Sequence, residues 1–478
     1  MNSNKANNRI EKKSSPKGMN RRSFLGNSIV LGVAAGAMGV GCTTSIKDSK
    51  SNRNSVGGAS NTTPLDMMKD FPGPMNKWKK PMPYDFIKEA TANFSTANWQ
   101  SGNEQSIYYN LNIPRFFNVD IAMPALEHGA LERKHNFDLL NLTFKDKDGK
   151  QTAQLKDYIN GPKQIQAMMM AHKGKVVFEA YSGMNPTDFH IWMSASKTAS
   201  SLLTNILEAE GRFNYDDMVS KHIPELKGTI WDEISYKDTA NMATGLDVEE
   251  SFENLTNPNS WITNFFRSVF EGKGDDWLQL LKSAKKLKNE PAGSHMRYSS
   301  AVTMTLVLAV QNITNQTWTD VFHEKVWSKI APKNQFMVGL TPDSVPIGAG
   351  HINTTPEDML RYAMLYTPSW NAVAQEQVVS EAILKRTQTM GNPKAYEGCT
   401  EQGYGTAWFG EAPERNSCQW DSVFADGAMF KHGNMGQGIY VDPKRDFCGI
   451  TFALAPNNGP VDHSPGYLRA AAKKLAGA

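Results

Sequence analysis

Two strand-turn-strand patterns stand at opposite ends of the folded part of this chain, and they constrain it more than any other feature. The first, QIQAMMMAHKGKVVFEAYSG at 164–183, has two apolar runs separated by His172-Lys173-Gly174-Lys175, the layout of a β-hairpin. The second, GQGIYVDPKRDFCGITFALA at 436–455, turns at Asp442-Pro443-Lys444-Arg445-Asp446. Between them lie helical stretches at 195–209, 258–287, 301–313 and 317–330, with few strand signals. The final SPGYLRAAAKKLAGA reads as a closing helix. Strands at both ends and helices between predict an α/β (α+β) fold. One sheet is made from distant chain segments and flanked by helices, with an all-α subdomain inserted at about 200–345.

The 478 residues, 40% hydrophobic and 10% aromatic, suffice for one large core or two moderate ones. The formal charge of +3 comes from the start of the chain, where residues 1–22 carry seven Lys/Arg against one acid. The remainder holds 44 basic and 47 acidic residues. No basic excess therefore points to a nucleic-acid partner. The leader NRRSFLGNSIVLGVAAGAMGVGCTT pairs Arg21 and Arg22 ahead of an uncharged run from Gly26 to Gly41, which reads as an export signal. It resembles a twin-arginine signal, and Cys42 resembles the acceptor cysteine of a bacterial lipoprotein, although Gly39 departs from the aliphatic residue usual there. The expectation is an exported, periplasmic protein that meets a membrane only through this signal or a lipid on Cys42.

After residues 1–42, the Ser/Asn/Gly-rich stretch 43–69 reads as a flexible tether. Residues 70–159, rich in Pro and aromatics at first, read as an irregular extension packed on the main folded domain, which spans 160–478. Cys399 and Cys418 bracket an aromatic stretch, and in an exported chain they are candidates for a disulfide. No C-x-x-C or H-E-x-x-H spacing supports a metal site, and no cofactor is expected.

The pattern S-x-x-K occurs three times, at Ser14/Lys17, Ser194/Lys197 and Ser283/Lys286. Ser14 lies in the leader. Ser283 lies in the cationic stretch LKSAKKLKNE, whose ordinary reading is a solvated helix face. Ser194 alone precedes an apolar helix, with Leu202, Leu203, Ile206 and Leu207 at helical spacing and Gly211 as a stop. A serine there lies by the positive end of a helix dipole and beside unpaired N–H groups. Lys197 projects from the same face, and a desolvated lysine can take the serine proton. A capping serine beside a surface lysine would look the same in this segment alone.

Two further elements bear on that choice. EPAGSHMRYSSAVTMTLVLAVQ at 290–311 places Tyr298 before an apolar helix, and FKHGNMGQGIYVDP at 430–443 puts Lys431-His432-Gly433 ahead of the second hairpin. The order S-x-x-K, Y-S-S, K-x-G resembles the serine β-lactamase-related hydrolases. These include class C β-lactamases, D-alanyl-D-alanine peptidases, family VIII carboxylesterases and aminohexanoate-dimer hydrolases. The resemblance covers roughly 160–478 and implies a β-lactamase/transpeptidase-like fold and an acyl-enzyme mechanism. It makes Ser194 the nucleophile, Lys197 its base and Tyr298 the proton relay. Gly433 would admit substrate to the edge strand, and the N–H groups of Ser194 and Asn434 would hold the oxyanion.

Two departures bear on substrate. Ser300 stands where β-lactamases carry an asparagine amide in the substrate site. His432 stands where they carry threonine, beside Lys431, which is expected to attract a carboxylate. Both argue against an efficient β-lactamase. The leading expectation is a hydrolase of a small ester or amide. The alternatives are a β-lactamase or D-amino-acid peptidase, and a ligand-binding protein without turnover. Oligomeric state is not legible.

Overall fold

The computed structural model describes residues 81–124, 129–161, 165–454 and 462–477. The leader, Cys42 and the tether lie outside the described residues. Both anticipated hairpins are present, β2 (Ile165–His172) with β3 (Lys175–Ala180), and β10 (Gln437–Asp442) with β11 (Phe447–Ala453). β11 pairs with β2, so the two ends of the body meet as the second and third strands of a seven-stranded sheet of order β3-β2-β11-β10-β9-β8-β7, every pair antiparallel. β7 is Arg415–Ser417, β8 Trp420–Val423 and β9 Met429–Gly433.

Strand β2 is apolar along nearly its whole length because both of its faces are covered. Met168 and Met170 pack with Tyr467, Leu468, Ala471 and Ala472 of the closing helix Ser464–Leu475. Ala167, Met169 and Ala171 pack on the other side in the core that contains Leu202, Leu203, Leu360 and Ala363. Those residues come from the helices Lys197–Ala209 and Pro356–Met364. The result is a sheet between two helical layers.

The inserted part is largely helical, with Ser300–Thr314 packed on Lys197–Ala209, but it is not all-α, because Phe336–Gly339 near its end is a strand. The stretch 258–287 divides into Trp261–Glu271 and Trp277–Lys282. Gly272 stops the first helix at φ +62° and Asp276 caps the second through the N–H groups of Leu278 and Gln279.

Three further expectations need correction. A second sheet of order β1-β5-β6-β4 exists, built from Val119–Ala122, Phe336–Gly339, Ile352–Thr354 and His190–Ile191. The part of the extension that is described is not irregular. It begins with the helices Tyr84–Ala92, Thr96–Trp99 and Glu104–Asn110, the latter two capped by the side chains of Ser95 and Asn103. Cys399 and Cys418 are buried free thiols rather than a disulfide. Cys399 Sγ caps its own helix by accepting from Gln402 N, whereas Cys418 faces the carbonyl of Arg386. Among the described residues no helix is long and apolar enough to cross a membrane.

Candidate active site

The small sheet aims the serine. β4 runs straight into the turn Met193–Ser196 and then the helix Lys197–Ala209. Strand β6 holds that junction at three points. Trp192 N donates to Ile352 O at 2.8 Å, Ile352 N donates to Ser196 Oγ at 3.2 Å, and Trp192 Nε1 donates to Thr354 Oγ1 at 2.8 Å. Met193 takes φ +48°, and Ser194 is the one residue of the turn that is not fully buried. A serine here reaches solvent from a turn fixed on both sides.

Lys197 has no exposed surface, and its ammonium position touches three oxygens. Ser194 Oγ lies at 2.9 Å, Ser300 Oγ at 2.8 Å and Ala349 O at 2.8 Å. Burial lowers its pKa to about 7, assisted by Lys431 and opposed by Glu250 and Asp421. A neutral amine has two hydrogens and one lone pair. The Ala349 carbonyl can only accept, Ser300 can accept the second hydrogen, and the lone pair is left for the proton of Ser194.

Tyr298 lies between two lysines. Lys431 Nζ donates to its hydroxyl at 3.1 Å, and the Lys431 and Lys197 amines sit 4.5 Å and 5.1 Å from its ring centroid. Burial pushes its pKa well above the usual phenol value, Asp421 and Glu250 add to this, and a hydrogen bond with Ser194 opposes it. The side chain is therefore a phenol, a proton carrier rather than a phenolate base.

Lys431 is fully buried and committed inside the protein. Its amine meets Asp421 Oδ1 at 2.5 Å as well as Tyr298, and the second oxygen of Asp421 accepts from His432 N at 2.9 Å. Its pKa is lowered by burial and held up by Asp421. A substrate carboxylate would compete with a buried ion pair for it. His432 stacks on Trp408 with centroids 4.3 Å apart, and its Nε2 lies 3.6 Å from Asp462 Oδ2. A Cβ on Gly433 would stand 2.5 Å from Trp192 O and 3.1 Å from Met193 Cβ, so only glycine lets β9 close onto the serine turn. Asn434 follows, exposed, at the mouth.

The structure thus brings together Ser194, Lys197, Tyr298, Ser300, Lys431, His432, Gly433 and Asn434. Ser300 sits against Lys197 rather than standing free for substrate. Ser283 and Lys286 are exposed and elsewhere, with Lys286 paired to Glu233. Sequence reasoning missed Asp421 and Glu250, whose Oε1 accepts from Ser300 N. It also missed Glu401, whose buried Oε2 lacks a partner and whose pKa burial raises to about 8. Single acids outside any motif leave no signal.

A family model described as Beta-lactamase matches residues 165–475. The 6-aminohexanoate-dimer hydrolase of Paenarthrobacter ureafaciens is 23% identical over 299 residues, which cover 61% of this chain and 73% of that protein. A solved structure from Bacillus anthracis, described as a candidate 6-aminohexanoate-dimer hydrolase, matches with a TM-score of 0.64 at 19% identity. It covers 79% of this chain and 96% of its own.

Proposed function

This chain belongs to the beta-lactamase family of hydrolases, and we propose that it cleaves a small ester or amide through an acyl-enzyme on Ser194. One observation carries the reading, the buried Lys197 amine 2.9 Å from Ser194 Oγ with its other two contacts already filled. Neutral Lys197 takes the serine proton as Oγ adds to the carbonyl carbon. The oxyanion forms between the N–H groups of Ser194 and Asn434, a placement supported by the close approach of Gly433 to the serine turn. As the tetrahedral intermediate collapses, Tyr298 passes a proton to the leaving group and is restored by the proton that Lys197 took from Ser194. Water then enters and adds to the acyl carbon as Lys197 takes its proton; on collapse Lys197 returns that proton to Ser194 Oγ, 2.9 Å away, and the acyl group leaves as the acid.

Two features favour an ordinary amide or ester over a β-lactam. Lys431 is neutralised by Asp421, which weakens it as an anchor for a substrate carboxylate, and Ser300 is engaged by Lys197. The curated relative, named for an amide dimer, fits that preference. The paired Arg21 and Arg22 support export, and Cys42 supports a lipid anchor.

A fluorophosphonate probe tests the reading. It should label the purified protein at Ser194 and leave Ser194→Ala unlabelled, with Ser283→Ala labelled normally. Turnover by Ser194→Ala would refute the nucleophile. Binding without turnover or labelling in the unaltered protein would favour a ligand-binding role.

A further inference from the structure

Two residues beside the proposed oxyanion donors have left-handed backbones without being glycine. Met193, immediately before Ser194, has φ +48°, and Met435, immediately after Asn434, has φ +67°. Such conformations are disfavoured for a side-chain-bearing residue and persist only where the surroundings hold them. Both methionine side chains are buried in one apolar cluster, 5% and 1% exposed. That cluster is supplied largely by Trp99, Ile107, Tyr108, Tyr109 and Ile113 of the N-terminal segment, which precedes the residues matched by the family model.

The same segment reaches the donor turn through polar contacts. Asn434 Nδ2 donates to Gln100 Oε1 at 2.9 Å, and Asn434 Oδ1 accepts from Met435 N at 3.0 Å. Ser106 Oγ lies 3.9 Å from Met435 Sδ.

We infer that the segment 84–117 is a clamp that positions the oxyanion pocket. It anchors Met193 and Met435 in strained backbone and holds Asn434 through Gln100, so that the N–H groups on either side of the cleft converge. Its residues are positioning residues, since none reaches the reacting atoms in this arrangement. The inference rests on the acyl-enzyme reading above, and the clamp acts on the transition state more than on ground-state binding.

The test uses the purified chain with a p-nitrophenyl ester and a fluorophosphonate. Ile107→Ala removes a buried anchor, and Gln100→Ala removes the polar tie. Each should lower kcat about 10–100-fold with KM changed less than about threefold, and slow fluorophosphonate labelling in parallel. Tyr84→Ala, 73% exposed on the same segment, should leave kcat unchanged. Met435→Gly in the Ile107→Ala protein should recover at least about fivefold, because glycine adopts positive φ without a buried side chain to hold it. Unchanged kcat in Gln100→Ala and Ile107→Ala, or no recovery with glycine, overturns the clamp. Should Ile107→Ala not fold, Gln100→Ala decides alone. Failure of the clamp leaves Ser194→Ala inactive, whereas failure of the acyl-enzyme reading leaves Ser194→Ala turning over.

Discussion

If Lys197 is the base, its proton should govern the rate, and the charges around it fix where and in which direction that control moves. Burial brings its pKa from 10.5 to about 7, a preference of about 5 kcal/mol for the neutral amine relative to water. Only the neutral form can accept the proton of Ser194. About half of the enzyme is then competent at pH 7, roughly a tenth at pH 6 and roughly a hundredth at pH 5. On a non-ionising aryl ester, kcat/KM should fall tenfold per unit below the limb, with a single-proton slope, read at the isosbestic wavelength of nitrophenol. Two variants should move the limb in opposite directions. Glu250→Gln keeps an acceptor for Ser300 N but removes a negative charge that favours the ammonium, so the limb moves below about 7. Lys431→Met removes a repelling positive charge, so it moves above. A flat profile from pH 5 to 8, or limbs that shift in the reverse sense, would refute Lys197 as the base.

Tyr298→Phe keeps the ring between the two lysines and removes the proton carrier, so kcat should drop roughly 10²–10⁴-fold with little change in KM. The loss should be larger on anilides than on nitrophenyl esters, since an amine needs a proton to leave and nitrophenolate hardly does. Equal losses on both would place Tyr298 in the pocket wall. Asp421→Asn strips the fully buried Lys431 of its counter-charge, and urea unfolding at pH 7 should show a loss of about 3–5 kcal/mol. Lys431 would then be neutral when folded and protonated when unfolded, so unfolding takes up a proton and the deficit shrinks as pH rises. A loss under about 1 kcal/mol would mean the pair is not needed there.

What was legible in the sequence follows from length and from turn chemistry. β2 and β11 are eight and seven residues long, and their turns carry Gly or Asp-Pro, so periodicity and punctuation agree. The helix after Ser194 has an apolar stripe and a glycine stop. The second sheet left no trace because β4 and β6 are two and three residues long, too short for a period of two to register. The N-terminal helices were hidden for a related reason. They are short, and their aromatics serve a cluster completed by Met193 and Met435 from the far side of the chain. The S-x-x-K, Y-S-S and K-x-G elements marked the site, but the acids that set its charge lie outside them.

Those acids change what the lysine motif means here. A lysine at the start of K-x-G, seen in sequence alone, is a free positive charge waiting for a substrate. In this fold Asp421 already occupies it and also fixes His432 N, so one carboxylate ties the lysine, the strand β9 and the phenol of Tyr298 into a single unit. The charge of Lys431 is thereby turned inward: it repels the proton on Lys197 and donates to Tyr298. The residues that follow Lys431 are placed differently: His432 stacks on Trp408, and Asn434 is exposed at the next turn. Since the Asn434 turn is gripped by the N-terminal segment, residues far outside the three motifs have a hand in the rate.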